Sequence, residues 1–175
     1  MLELKLVITG NVGAGKSTAV KTISEIPPVV TDVNLSAKIS ADKQETTVAL
    51  DYGKHRLNDG RVVHLYGTPG QERFSFMWDI LSQGATGLII LIDTSTRSPL
   101  QELENYLNAF SDYSQRIPTV IGLTHIDKPG VVGVEDFRRY LTGNGMEHPV
   151  FPMDARKRQD VAHLIEMVVP EEVVA

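Results

Sequence analysis

Thr9-Gly10-Asn11-Val12-Gly13-Ala14-Gly15-Lys16-Ser17-Thr18 is the stretch on which the reading of this chain turns. A glycine, four residues, then Gly-Lys-Ser is the spacing of a loop that wraps phosphate oxygens, provided a strand precedes it and a helix follows. Both flanks qualify: residues 4–9 are a short apolar run, and residues 16–25 have helical patterning that stops at Pro27-Pro28. Glycines let the backbone curl until successive N–H groups point inward, and the following helix turns its positive end toward the same anion. Gly10, Val12, Gly13, Ala14, Gly15, Lys16, Ser17 and Thr18 are therefore expected to hold the phosphates of a nucleoside triphosphate. The Lys16 ammonium is expected on the β- and γ-phosphates and the Ser17 hydroxyl on Mg²⁺.

Outward from that loop, short β-branched runs alternate with helical patterns, the signature of a mostly parallel sheet covered on both faces. Strands are expected at 46–57, 61–66, 87–93, 118–123 and 148–153, and helices at 100–110, 134–141 and 159–169. Asn58-Asp59-Gly60 between two of the strands is hairpin turn chemistry, so one strand should run against the others. The expected architecture is a three-layer α/β/α fold of the P-loop NTPase type, in one domain over 1–175, with a six-stranded sheet that has one antiparallel strand. Residues 27–45 are left as a long connection with little structure of its own, and long loops in compact domains usually carry function.

Composition narrows the classes further. A net charge of −5 argues against a nucleic-acid partner, which needs clustered Lys and Arg. With no cysteine in 175 residues, disulfides, thiolate metal sites and lipidated cysteines are excluded. No apolar run approaches the ~20 residues of a membrane span, so a cytoplasmic protein with no direct membrane anchor is the expectation. His55, His64, His148 and His163 lack metal-ligand spacing and read as surface or satisfied core residues.

Four further segments, in order along the chain, carry a family resemblance. Gly67-Thr68-Pro69-Gly70-Gln71-Glu72-Arg73-Phe74 resembles the switch II motif of Ras-like small GTPases, and Thr46-Thr47-Val48-Ala49-Leu50-Asp51-Tyr52 resembles the strand start that carries their γ-phosphate-sensing Thr, here Thr47. Thr124-His125-Ile126-Asp127 resembles the guanine-reading Asn-Lys-x-Asp, and Met153-Asp154-Ala155-Arg156 resembles the Ser-Ala-Lys segment that closes over the base. The Thr-Pro-Gly-Gln-Glu spelling is similar to a bacterial group related to gliding-motility polarity GTPases, which work beside small roadblock-type proteins. The resemblance implies a switch that cycles between GTP and GDP and hydrolyses GTP with Mg²⁺, and that meets protein regulators and effectors through its switch regions. It implies that Gln71, with Lys16, is catalytic and orients the attacking water, and that Thr47 and Gly70 bond the γ-phosphate. Thr47 would join Ser17 at the metal. Thr124, His125, Asp127, Asp154, Ala155 and Arg156 would form the base site, where a carboxylate at 127 pairs with two guanine N–H groups that adenine lacks.

The chain departs from the family pattern at several positions. Gly67 stands where the family has an Asp that supports Mg²⁺ through water, so that support is missing. Asp93, at the end of an apolar strand, is a candidate substitute, but tying down the Thr94-Ser95-Thr96 loop is the stronger expectation for it. Thr124 has fewer hydrogen-bonding groups than Asn with which to tie its loop to the phosphate loop, and His125 replaces a Lys; both point to weaker guanine binding. Val12 crowds the side from which an activating arginine would enter, which points to slow turnover. Phe74, Phe76, Met77 and Trp78 cannot all face inward from one helix, so two are expected in the core and the others on a partner surface. Two other readings stay open: a pseudo-GTPase that holds nucleotide without turning it over, and a P-loop ATPase or kinase.

Overall fold

In a computed structural model, residues 3–27, 29–35, 46–70, 75–129 and 132–171 are described. The chain runs β1 (Glu3–Thr9), α1 (Lys16–Ile23), β2 (Val29–Leu35), β3 (Thr46–Arg56), β4 (Val62–Gly67), α2 (Ser75–Ser82), β5 (Gly87–Asp93), α3 (Pro99–Ala109), α4 (Ser111–Ser114), β6 (Thr119–Thr124), α5 (Val134–Gly143), β7 (Val150–Pro152) and α6 (Arg158–Val168). The sheet order is β2-β3-β4-β1-β5-β6-β7. β4, β1, β5, β6 and β7 are parallel, and β3 pairs antiparallel with both of its neighbours. The architecture matches the expectation, with β3 as the one strand that opposes the rest.

The difference lies in residues 27–45. Val29–Leu35 forms a seventh strand at the sheet edge, with Asn34 opposite Thr47 and Thr31 opposite Leu50. Val29, Val30, Thr31 and Val33 favour extended backbone, but Asp32 and Asn34 break up the apolar run and the preceding prolines hide its start. Pairing with the long β3 supplies what local propensity does not.

The central strands are apolar on both faces because both faces are covered. On one side α1 and α6 pack against Leu6, Ile8, Leu65, Ile89 and Leu91. On the other, Trp78 of α2, Leu103 and Leu107 of α3, and Phe137 and Leu141 of α5 meet Val7, Leu88, Ile90 and Ile92. Two glycines are demanded by this packing. A Cβ on Gly122 of β6 would lie 2.7 Å from both Leu164 and Leu91, and one on Gly53 of β3 would lie 2.8 Å from Val20 of α1. β1 sits between β4 and β5, so the chain's crossovers leave it in opposite directions and open a crevice beyond the C-terminal end of β1. The phosphate loop begins there.

Candidate functional site

The loop between β1 and α1 is shaped by three glycines with positive φ: Gly10 at 149°, Gly13 at 84° and Gly15 at 106°. At Gly10 the requirement is steric as well, since a Cβ would fall 2.2 Å from the carbonyl oxygen of Leu91. Gly15 caps α1 in the left-handed conformation, leaving the first helical N–H groups directed into the crevice. Lys16 follows immediately and is buried. Its ammonium donates to the carbonyls of Gly10 at 2.5 Å and Asn11 at 2.7 Å. Burial pushes its pKa down to about 8, with the nearby Asp51 carboxylate acting in the opposite sense. A desolvated cation beside a cradle of N–H groups is an anion-binding arrangement.

The crevice opens into one cleft of about 1180 Å³. Residues 12–18 line it, together with Asp51, residues 68–70, residues 124–128 and residues 152–157. Val12, Gly13, Ala14, Gly15, Lys16, Ser17, Thr18, Gly70, Thr124, His125, Asp127, Asp154, Ala155 and Arg156 are thus brought together as the sequence suggested. Gly70 comes close to the loop: a Cβ on it would lie 2.6 Å from the Val12 nitrogen and 2.9 Å from the Lys16 Nζ. Only a glycine fits that approach. Thr47 belongs to β3, and its backbone pairs with Asn34. Gln71 and Phe74 lie outside the described residues, as does the side chain of Thr47.

The far walls are fastened to the phosphate loop. The buried Thr124 hydroxyl donates to the carbonyl of Ala14 at 2.9 Å, so the loss of Asn does not untie the two loops. The tie that the shorter side chain makes to the loop is this one hydroxyl at the end of β6. His125, with φ 57°, places Nε2 3.2 Å from the Gly13 carbonyl and 3.7 Å from Asp93. Asp93 accepts hydrogen bonds from the backbone N–H and hydroxyl of Ser95, the loop-tying role expected of it. The 153–156 segment is held from two sides and braced by a pair within it. Thr22 of α1 donates to the Ala155 carbonyl at 2.6 Å, Asp160 accepts from the Asp154 N–H at 2.8 Å, and the Arg156 guanidinium grips the Asp154 carboxylate at 2.7 and 2.9 Å. That grip holds the Asp154 carboxyl well below the usual carboxylate range.

One feature was missed in the sequence. Asp51 of β3 reaches the phosphate loop, where it accepts a short hydrogen bond from the Ser17 hydroxyl. Nothing in the local sequence marks it, because only its pairing opposite Gly67 sets its position. Trp78, singled out in the sequence, is one of the two core residues expected of its cluster. Its indole N–H donates to the Pro69 carbonyl at 2.9 Å while its ring stacks on Tyr106 and Phe110 of the α3 segment, at 5.0 and 5.5 Å. Met77 and Trp78 are the buried pair among the aromatic cluster, and Phe76 is exposed together with Ile80 one turn on.

Three histidines outside the cleft have ordinary contacts. His64 Nδ1 lies 2.6 Å from the Tyr52 hydroxyl, His55 pairs with Glu25 at 3.5 Å, and His163 meets Phe151 edge-on. Burial lowers the pKa of His148. Among the described residues no group of three or more His, Asp or Glu side chains gathers into a metal cluster, and no helix is long and apolar enough to cross a membrane.

A family model described as "Conserved hypothetical ATP binding protein" matches residues 29–169, and the chain belongs to that family. It is also 32% identical over 116 residues to Ras-related protein Rab-18-B of Danio rerio, covering 66% of this chain and 52% of that protein. An uncharacterized protein of Methanocaldococcus jannaschii is 32% identical over 94 residues, 53% of each chain. Ras-related protein Rab-18 of Caenorhabditis elegans is 28% identical over 134 residues, 75% of this chain and 62% of that protein. The chain spans about half the length of the first two relatives.

Lys16 makes the site pH-dependent with a definite sign. A bound polyphosphate raises the pKa of the ammonium above its free value of about 8, so affinity is full below that value and falls as pH rises through it. Nucleotide titrations at several pH values should show binding about tenfold weaker at pH 9 than at pH 7, with about one proton taken up at the higher pH. An affinity independent of pH over that range would contradict the assignment of Lys16 to the phosphates.

Proposed function

We propose that this chain is a small GTP-binding protein that cycles between GTP- and GDP-bound forms and hydrolyses GTP slowly. The observation that carries the reading is the single cleft that joins the phosphate loop to Asp127 and Ala155, with both base-side segments fastened to α1 and its loop. In this reading the N–H groups of residues 13–18 and the Lys16 ammonium hold the α-, β- and γ-phosphates. The Asp127 carboxylate accepts the N1–H and 2-amino protons of guanine, His125 packs on the purine, and the Ala155 N–H donates to the guanine O6. Asp154 and Arg156 shape the segment that closes over the base.

Mg²⁺ takes hard oxygen ligands and keeps several of its waters. The Ser17 hydroxyl and the Asp51 carboxylate, side by side at the mouth of the loop, are such oxygens, and the donor set fits. Ser17 and Thr47 would hold the ion, which supplies neutralisation of the phosphate charge. Gln71 would orient the attacking water in line with the γ-phosphate, and Thr47 and Gly70 would bond that phosphate and let go after hydrolysis. The two switch surfaces, 27–47 and 68–83, would then offer different faces to regulators and effectors, a roadblock-type protein among them. The exposed Phe76 and Ile80 belong to the second surface. A cytoplasmic location and the bacterial polarity-GTPase subgroup complete the proposal.

The printed description of the family names ATP, which favours an adenine nucleotide as the second reading. Competition binding decides between them. GTP should displace a bound guanine nucleotide at least about a hundredfold better than ATP, and Asp127→Asn should erase most of that margin, because two charge-assisted hydrogen bonds are lost. Equal competition by ATP and GTP in the native chain would favour the adenine reading.

Val12, two-thirds exposed on the rim of the cleft, bears on turnover. Relief of its β-branched bulk by Val12→Gly should raise single-turnover GTP hydrolysis several-fold while leaving GTP affinity within about threefold. An unchanged rate would remove Val12 as the cause of slow turnover, and no phosphate release from either protein would favour a nucleotide-binding pseudo-GTPase.

A further inference from the structure

Between β7 and α6 the backbone around Ala155 is fixed group by group. The Asp154 N–H donates to the Asp160 carboxylate at 2.8 Å, and the Asp154 carbonyl accepts from the Lys157 N–H at 2.9 Å. The Ala155 carbonyl accepts from the Thr22 hydroxyl of α1 at 2.6 Å, and the Arg156 N–H donates to Asp154 Oδ1 at 2.9 Å. In this run of five groups, the Ala155 N–H alone has no partner among the described residues. Ala155 is buried, and a Cβ on Gly15 would come within 3.1 Å of its methyl group. The segment thus rests on both ends of α1, on Gly15 at the start and on Thr22 in the last turn. Arg158, at the start of α6, holds that last turn in place by donating to the Thr22 and Ile23 carbonyls at 3.3 and 3.2 Å.

Such a segment has a donor to offer a base and no open acceptor. At C6 guanine carries an acceptor oxygen, whereas adenine carries a donor amino group. The acceptors near the Ala155 N–H are the carbonyls on either side of it and the Asp154 carboxylate. Lys157 occupies the first carbonyl and Thr22 the second, while the Arg156 guanidinium grips the carboxylate at 2.7 and 2.9 Å. Of these ties, the one from Thr22 comes from outside the segment and from the helix that follows the phosphate loop. The same hydroxyl lies 2.8 Å from the Thr18 carbonyl, so its one proton is shared between α1 and Ala155. We propose that Thr22 is a specificity-determining positioning residue: it holds the Ala155 carbonyl away from the base, so that the segment presents the Ala155 N–H and the cleft takes 6-oxopurine nucleotides over 6-aminopurine ones. Thr22 does this without touching the nucleotide, through the backbone that does.

The role of Thr22 rests on the guanine reading of the cleft, and the test separates the two. Displacement of a fluorescent GDP derivative by GDP, IDP and ADP is measured for the native chain, Thr22→Val, Thr22→Ala and Thr22→Ser, each checked for folding by thermal melting. IDP keeps the 6-oxo group and lacks the 2-amino group, so the GDP-to-IDP ratio follows Asp127 and should stay native in every variant. Val keeps the shape of Thr and removes the donor. Thr22→Val should weaken GDP and IDP alike by about five- to tenfold and leave ADP no weaker, and Thr22→Ala, without the β-branch, should do the same. Thr22→Ser keeps the hydroxyl and should keep the native preference. A native IDP-to-ADP ratio in Thr22→Val and Thr22→Ala, or an equal loss for all three nucleotides, would overturn the role of Thr22 and leave the guanine reading intact. A native chain that takes ADP as well as GDP, or that binds no guanine nucleotide, would overturn the guanine reading itself.

Discussion

The buried ammonium of Lys16 is the constraint on which the rest of this structure depends. Lys16 is held in the interior by the carbonyls of Gly10 and Asn11, and removal from water costs its charged form enough to bring the pKa down to about 8. Two carbonyl dipoles do not replace hydration fully, so the group is set up to gain from a polyphosphate. The backbone around it is shaped to the same end. Gly10 passes against Leu91 too closely for any Cβ, and Gly15 turns the chain into α1 through a conformation that other residues avoid. The glycines thus let the loop follow this path between its flanking strand and helix without steric conflict.

From that loop and α1, hydrogen bonds run to several of the described segments that line the cleft. Thr124 ties the end of β6 to the loop, and Thr22 ties residue 155 to α1. On the opposite side, Thr68 is fixed to β1 by its N–H to the Ile8 carbonyl and by its hydroxyl to Thr9, both buried residues. Pro69 is fixed to Trp78, and Trp78 to the α3 aromatics. Gly70 lies between these anchors and the loop, so close that a Cβ on it would fall 2.9 Å from the Lys16 Nζ.

Most of this was legible in the chain because it depends on local pattern. A β-branched run, a Gly-x-x-x-x-Gly-Lys-Ser turn and a helical stripe are each read from fewer than ten residues, and six of the seven strands and the main helices after the loop follow from them. The remainder depends on what lies across the sheet. β2 is too polar to announce itself and exists by pairing with β3. Asp51 looks like an unremarkable polar residue in a strand until the register sets it against Gly67. The weakness expected of Thr124 was a count of hydrogen-bonding groups, whereas what matters is the one geometry that the buried hydroxyl meets.

The central claim is that the cleft reads guanine. Its most direct test is the identity of the nucleotide that accompanies the protein through purification under native conditions with Mg²⁺ present, released by acid and separated by anion-exchange chromatography. The account predicts guanine nucleotide, chiefly GDP, at close to one equivalent per chain. Adenine nucleotide in comparable amount would contradict it.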